Sequence, residues 1–372
     1  MTGKIFSHPR SRALPDFAFL GAAFALTIFG LVMLASASSD LALSRFGESY
    51  YYLVHQLTNG VIVGLGGFLL GAFVYYRTWE KFAIPLLAIG ILALLLVFTP
   101  LGYGVTGGER WVSFGTFSFQ PGELIKLTLI IYLASWLSKT RARGESMTEG
   151  LLPFVFLLGG IIVLLLLQPS TSTAVILSLA ALILYFLGGA RLHFIFLIGL
   201  VVILGFSLLV YFTPYRLDRV LTLLDPSIDP LGISYQANEA KLAIGSGGLT
   251  GVGFGKSTAK FGGLPETFGD SIFAIVGEEF GFVGGILLLA LFLILILRGL
   301  VIAKRAPDAF GRLVTVGFIA VIGLQAFVNI AAISGLIPLT GVPLPFISYG
   351  GTALAVFLTM TGIVVNISRH AR

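Results

Sequence analysis

Apolar stretches of about twenty residues recur from one end of this 372-residue chain to the other, and a helix of that length crosses a hydrocarbon core of about 30 Å. This recurrence limits the fold more than any motif does. Inside a bilayer every backbone N–H and C=O has to be satisfied by the protein itself, so the runs read as packed helices: an all-α, polytopic membrane bundle. The residues are 57% hydrophobic and only 11% charged, and a soluble globular domain carries about twice that charge.

The runs fall near 17–37, 53–75, 82–99, 121–138, 152–168, 172–189, 192–213, 271–297, 313–334 and 347–367, about ten spans in a single membrane domain covering 1–372. Residues 1–16 read as a short cytoplasmic tail. Ala35, Ser36 and Ala37 imitate a signal-peptide cleavage site. The run before them is longer than a typical h-region and more spans follow, so it is expected to remain as an anchor. Lys and Arg concentrate in cytoplasmic loops. With the N-terminus inside, fifteen of the twenty-three take that side, among them Lys4, Arg10, Arg12, Arg77, Lys81, Lys139, Arg141, Arg143, Arg298, Lys304, Arg305 and Arg372. Both termini are then cytoplasmic.

The other eight basic residues, Arg45, Arg110, Lys126, Arg216, Arg219, Lys241, Lys256 and Lys260, fall at or near outer-face segments, most of them in two. One is the segment 214–270 between the seventh and eighth spans, too long for a mere connector. Its Tyr235, Leu242, Ile244, Leu249 and Phe254 alternate with glycines and polar residues, which reads as short helices and turns lying on the membrane surface. The other runs from Leu101 to Gln120, is rich in glycine, and ends at Pro121, a residue suited to the first position of a helix.

Cysteine is absent and the four histidines are scattered, which excludes disulfides, thiolate chemistry and a histidine metal cluster. The net charge of +6 fits the inward bias and contact with anionic membrane lipid. No basic domain stands apart from the helix ends, so nucleic acid is not an expected partner.

Three segments carry candidate chemistry. GLPETFGDSIFAIVGEEFG, from Gly263 to Gly281, places Glu266 and Asp270 at the outer mouth of the eighth span. A helix beginning at Pro265 puts both carboxylates on one face; one beginning at Ser271 makes Asp270 its cap, with a pKa depressed by the helix dipole. An aspartate before an apolar run is commonly only a cap, but this one stands beside a loop carrying Lys241, Lys256 and Lys260. GERWVSFGTFSFQPGELIKL, from Gly108 to Leu127, holds Arg110 and the pair Glu123 and Lys126, neighbours on a helix and thus an ion pair that also suits the lining of a polar site. GVPLPFISYGGTALAVF, from Gly341 to Phe357, breaks or delays a helix at the outer face. It reads as a tight re-entrant turn, with substrate contact through Ser348 and Tyr349 as the alternative.

Two signals point nowhere. Gly253, Gly255, Lys256 and Ser257 imitate the end of a phosphate-binding loop, but its first glycine would fall at Thr250. Glu278 and Glu279 lie inside the eighth span and read as buried, neutral or paired carboxylates rather than a proton path. No internal repeat marks an alternating-access transporter.

Taken together, these segments resemble the SEDS family (shape, elongation, division and sporulation) over nearly the whole chain. LPE followed by Asp, then FA and GEE, is similar to the family signature LPE-x-x-T-D-F-x-F-A; QPGELIKL resembles QP-x-E-x-x-K, and LPFISYGG resembles LP-x-x-SYGG. The spacing of GFGKSTAKFGGLPE looks closer to the FtsW branch, whereas KLAIGSGG and GVPLPFISYGG lean toward the RodA branch, so the resemblance, slightly nearer FtsW, is compatible with a role in cell division or in cell elongation. Gly269 stands where the signature has Thr, Ser271 where it has Phe, and Ser170 where an Asp is common.

The resemblance implies a peptidoglycan glycosyltransferase of the bacterial inner membrane. It would polymerise lipid II, the undecaprenyl-diphosphate-linked disaccharide pentapeptide, with a class B penicillin-binding protein as crosslinking partner. By position it gives Asp270 the catalytic role. The cations Arg110, Lys126, Lys241 and Lys260 are then candidates for the leaving diphosphate, with Glu266, Glu123, Ser348 and Tyr349 as further substrate contacts. The one cofactor candidate is a divalent ion, Mg or Mn, held by Glu266 at the diphosphate. The rival readings are a lipid II flippase, which translocates without making polymer, and an inert scaffold that only recruits division proteins.

Overall fold

The computed structural model describes residues 14–104, 108–115, 117–139, 145–225, 227–230, 232–261 and 263–371. Lys4, Arg10, Arg12, Arg141, Arg143, Arg372 and most of the 1–16 tail lie outside them. The apolar runs are helices: α1 Phe17–Phe46, α2 Tyr51–Phe73, α3 Tyr76–Lys81, α4 Ala83–Leu96, α5 Pro121–Ser138, α6 Met147–Leu167, α7 Thr171–Leu187 and α8 Leu192–Tyr211. Two short helices follow, α9 Pro214–Leu224 and α10 Tyr235–Ser246, then α11 Ile272–Arg305, α12 Ala309–Ile333 and α13 Gly351–Ser368. Among the described residues seven helices are long and apolar enough to cross a membrane, namely α1, α2, α6, α8, α11, α12 and α13. The apolar helices α4 and α7 are shorter, and α5 carries Glu123 and Lys126 in its opening turns.

The helix ends follow local chemistry. Asp16 accepts a hydrogen bond from the Phe19 N–H at 3.0 Å to cap α1, and Asp308 accepts from Gly311 N–H at 2.8 Å to cap α12. Pro121 opens α5 and Pro214 opens α9, where the absent N–H costs nothing. The all-α expectation needs one amendment. The segment before α5 forms a small antiparallel sheet, β1 Gly102–Tyr103, β2 Trp111–Phe114 and β3 Phe117–Phe119, in the order β1-β2-β3. Phe114 pairs with Phe117 across a tight turn in which Gly115 has φ of +66°.

Small residues set the closest approaches, as is usual where lipid supplies no hydrophobic drive between helices. α2 and α13 pack along Gly64, Gly71 and Gly362; a Cβ on Gly71 would lie 2.7 Å from Ile363 N, and one on Gly362 would lie 2.2 Å from Phe68 O. Within α2 a π-helical stretch, Gln56–Ile62, turns the buried Gln56 inward to accept the Gly350 N–H at 3.0 Å. α1 supplies Gly30, where a Cβ would stand 2.4 Å from the carbonyl of Phe346. Phe346 itself holds a φ of +66°, so glycine on the facing helix makes room for a strained turn.

α11 is not one straight rod. At Gly281 the backbone leaves helical geometry, with φ +64° and ψ −162°. The strip before it in sequence fills the gap: Val252 N–H donates to Glu278 O, Gly253 N–H to Glu279 O, Phe282 N–H to Gly248 O and Val283 N–H to Leu249 O, all at 2.9–3.1 Å. The outer piece of α11, which begins just after Asp270, is thus held by its own loop. Packing of α2 on α13 gives the first expectation. Gly362→Val forces the two helices apart and lowers stability by about 1–3 kcal/mol, read as a lower melting temperature of the detergent-purified protein.

Candidate active site

Asp270 ends a turn that runs from Leu264 into α11. The turn is drawn tight by Glu266, whose φ of +52° lets its carbonyl accept from both Gly269 N–H (3.0 Å) and Ser271 N–H (3.2 Å). Thr267 donates to Ala37 O of α1 at 3.1 Å, and Phe268 O accepts the Tyr349 N–H at 2.9 Å. Asn329 of α12 completes the seating. Its side-chain amide donates to Asp270 O at 2.8 Å and to Val342 O at 2.7 Å.

Neither helical geometry foreseen for Asp270 occurs. The helix starts at Ile272, and Ser271, which takes the cap position, makes no capping bond. Burial is the largest influence on Asp270, and together with the neighbouring Glu266 charge it pushes the carboxyl up to about 6, against the opposing pull of Arg219 and of the Gln236 hydrogen bond. The dipole-depressed cap is replaced by a carboxyl of raised basicity.

The residues around it were partly legible. Glu266 shares the turn and is exposed; a Cβ on Gly269 would meet its Oε2 at 2.8 Å, so the glycine gives that side chain room. Lys241, on α10, lays its stem over Gly335, where a Cβ would fall 2.1 Å from Lys241 Cε. Arg219, on α9, donates to Leu339 O at 2.6 Å and is the cation whose charge reaches Asp270. Its sequence position marks it as an outer-face cation and carries no sign of the site. Gln236 and Asn329 were not singled out at all; an asparagine and Gln325 one turn apart in the apolar α12 were the available signal.

A second polar cluster lies across the 334–350 segment. Lys126 is fully buried and donates to Glu123 Oε1 at 2.7 Å and to Gln325 Oε1 at 2.6 Å, while Gln325 donates to Pro343 O at 2.9 Å. The expected ion pair therefore exists. Its Glu123 also lines a polar cleft with Arg110, Gln120, Ser170, Ser172, Thr173, Thr340 and Gly341. Arg110 donates to Pro169 O at 2.6 Å on its wall. Gly341 joins the two clusters: it borders the cleft, and a Cβ on it would stand 3.8 Å from Asp270 Oδ2. Its φ of +64° suits glycine there.

Three residues expected at the substrate are engaged elsewhere. Lys260 is buried, and its ammonium donates to Gly255 O at 2.7 Å and Ser36 Oγ at 3.1 Å and pairs with Glu279 at 3.4 Å. A buried carboxylate needs such a partner, and Lys260 supplies it to Glu279. Glu278 likewise accepts from Ser257, Thr258 and Ala259, tying down the same loop. Ser348 closes its own turn by accepting the Leu344 N–H at 2.8 Å. The Tyr349 ring packs edge-on against Tyr52 and Phe268, with centroids 5.4 and 5.6 Å away.

The chain matches the FtsW/RodA/SpoVE family, described as cell cycle proteins, over residues 17–372. It belongs to that family. Stage V sporulation protein E of Bacillus subtilis (strain 168) is 39% identical across 96% of this chain and 98% of its own length. The probable peptidoglycan glycosyltransferase FtsW of Marinobacter nauticus is 42% identical across 92% of this chain and 86% of its own. Among solved structures, a chain from a study of polymerization and crosslinking by a peptidoglycan synthase complex superposes with a TM-score of 0.80 at 28% identity, covering 96% of this chain and 98% of that one. The rod shape determining protein RodA of Thermus thermophilus gives 0.71 at 28% identity, with 96% and 97% covered. This is a multi-pass membrane protein, as the FtsW/RodA/SpoVE family and the seven long apolar helices require.

Breaking the buried pair strands a charge, which costs about 3–5 kcal/mol. Lys126→Met is therefore expected to lower the melting temperature sharply, and the double variant with Glu123→Gln to recover most of the loss, both read by thermal denaturation in detergent.

Proposed function

We propose that this chain is a peptidoglycan glycosyltransferase that polymerises lipid II into glycan strands, with Asp270 as general base. The observation that carries the reading is a half-buried carboxyl of raised basicity, pinned at a helix mouth beside Arg219 and one glycine away from a polar cleft. Relatives known as probable peptidoglycan glycosyltransferases FtsW support the same activity.

In this reading α1, α2, α4, α5, α6, α7, α8, α11, α12 and α13 cross the bacterial inner membrane. Both termini are cytoplasmic, and the 214–270 segment lies outside. The substrate's polyprenyl tails stay in lipid while its diphosphate and sugars project to the outer surface, where a site at the mouth of α11 meets both. The acceptor's 4-hydroxyl attacks the anomeric carbon of the donor. A new glycosidic C–O bond forms, the C–O bond to the diphosphate breaks, and undecaprenyl diphosphate leaves with the electron pair. Asp270 takes the hydroxyl proton, which becomes acidic as the bond forms. Arg219, Lys241 and Arg110 are the cations placed to offset charge on the departing diphosphate. Lys126 acts through Glu123, which it holds at the cleft wall.

Among the described residues no three His, Cys, Asp or Glu group together as a metal cluster. Glu266 is the carboxylate that a Mg or Mn ion would meet, leaving most of its oxygen shell to water and diphosphate. When bound, such an ion would neutralise diphosphate charge. A class B penicillin-binding protein is the expected partner, consistent with the crosslinking named for the structural relative; the nearer identity to proteins named FtsW favours a role in division.

Purified protein reconstituted with lipid II is expected to make glycan polymer, and Asp270→Ala to reduce it by about 100-fold or more while the fold is kept. A base works only when unprotonated, so the wild-type rate should fall as pH drops below about 6. Translocation of labelled lipid II without polymer would instead establish a flippase.

A further inference from the structure

The two oxygens of the Asp270 carboxylate have different surroundings. Oδ1 accepts a hydrogen bond from the Gln236 side-chain amide at 3.2 Å and lies 3.5 Å from the Ser271 hydroxyl. The same Gln236 nitrogen donates to Ser271 Oγ at 3.0 Å, so one amide spans two consecutive residues of the turn. Ser271 is fully buried, which leaves its hydroxyl a fixed partner. Oδ2 is the oxygen near Gly341 and the polar cleft beyond it.

We propose that Gln236, anchored by Ser271, is a positioning residue that holds Asp270 by Oδ1 and leaves Oδ2 as the oxygen that receives the acceptor's proton. The inference rests on the reading of Asp270 as general base. A carboxylate free to turn about its own bond offers the reacting oxygen only part of the time, whereas one oxygen tied to a fixed donor keeps the other aimed. Gln236 is suited to the task because an amide donates without carrying charge. A cation there would hold the proton acceptor too firmly in its ionised form.

The donor stands on α10, which is seated by Ala240 and Ala243 and by the close approach of Ile244 to Gly277 of α11, where a Cβ would lie 3.1 Å away. The same helix piece therefore sets both ends of the hydrogen bond. The charged groups that act on Asp270 are Glu266 on its own turn and Arg219 on α9. α10 contributes Lys241 over Gly335, and α12 and the 334–350 segment face it with the uncharged Asn329 and Gly341.

The test is steady-state polymerisation of lipid II by the purified full chain across pH, with size-exclusion and melting profiles for each variant. Gln236→Met keeps the length and removes the donor. It is expected to lower kcat about tenfold with KM little changed, and to move the acid limb of the rate profile to higher pH, because the lost N–H had favoured the charged carboxylate. Ser271→Ala, which removes the anchor and the long 3.5 Å contact of its hydroxyl with Oδ1 but keeps the Gln236 donor, should move kcat and the limb the same way by a smaller amount, about threefold in kcat. If Gln236→Met fails to fold, Ser271→Ala decides alone. An unchanged rate and profile, or a loss uniform across pH, would overturn the clamp. Asp270→Ala in parallel separates the two readings. Its retained polymerisation defeats the base and the clamp together, whereas its inactivity beside an unaltered Gln236→Met defeats the clamp only.

Discussion

One side-chain amide joins three parts of the chain: Asn329 of α12 donates to the carbonyls of Asp270 and Val342. Buried carbonyls without partners are costly, and both of these belong to irregular backbone at the end of a bundle, where no helix ladder serves them. The asparagine therefore fixes where the 264–271 turn and the 334–350 segment meet. From that fixed point follow the position of the carboxyl, the closeness of Gly341 to its Oδ2, and the placement of the Glu123–Lys126 cleft on the other side of the glycine.

A second constraint acts from behind. α11 would carry the Asp270 turn wherever a continuous rod pointed, but the break at Gly281 frees its outer piece, and the 247–253 strip satisfies the exposed backbone groups. Glu278 and Glu279, three and two residues before the break, have different duties. Glu278 gathers the 257–259 backbone and hydroxyls, and Glu279 holds Lys260 against Ser36 of α1. Both carboxylates thus serve to seat the loop that seats the helix. Their burial is tolerable because each has a counterpart.

Much of the bundle was written in hydrophobic periodicity, since apolar length and polar breaks mark helices without regard to tertiary detail. All ten runs became helices, although the last begins at Gly351 because the 334–350 backbone stays irregular. The short helices of the 214–270 segment were also legible, from their alternation of apolar and polar residues. The Glu123–Lys126 pair was readable because spacing on one helix is local information. The partners of Lys260 and Ser348 were not readable for the opposite reason: they lie on other elements or in a turn whose closure no spacing announces. Gln236 comes to Asp270 through the packing of α10 on α11, and Arg219 through its hydrogen bond to Leu339 O of the 334–350 segment, contacts fixed only in three dimensions.

The central claim is that burial, more than any partner, makes Asp270 a stronger base than an ordinary carboxylate. Infrared difference spectroscopy of the protein in lipid, wild type against Asp270→Asn, measures that directly through the carbonyl stretch of the protonated acid. The account predicts a band that is absent from the variant and titrates near about 6. A band that titrates in the ordinary aspartate range, near about 4, would contradict it.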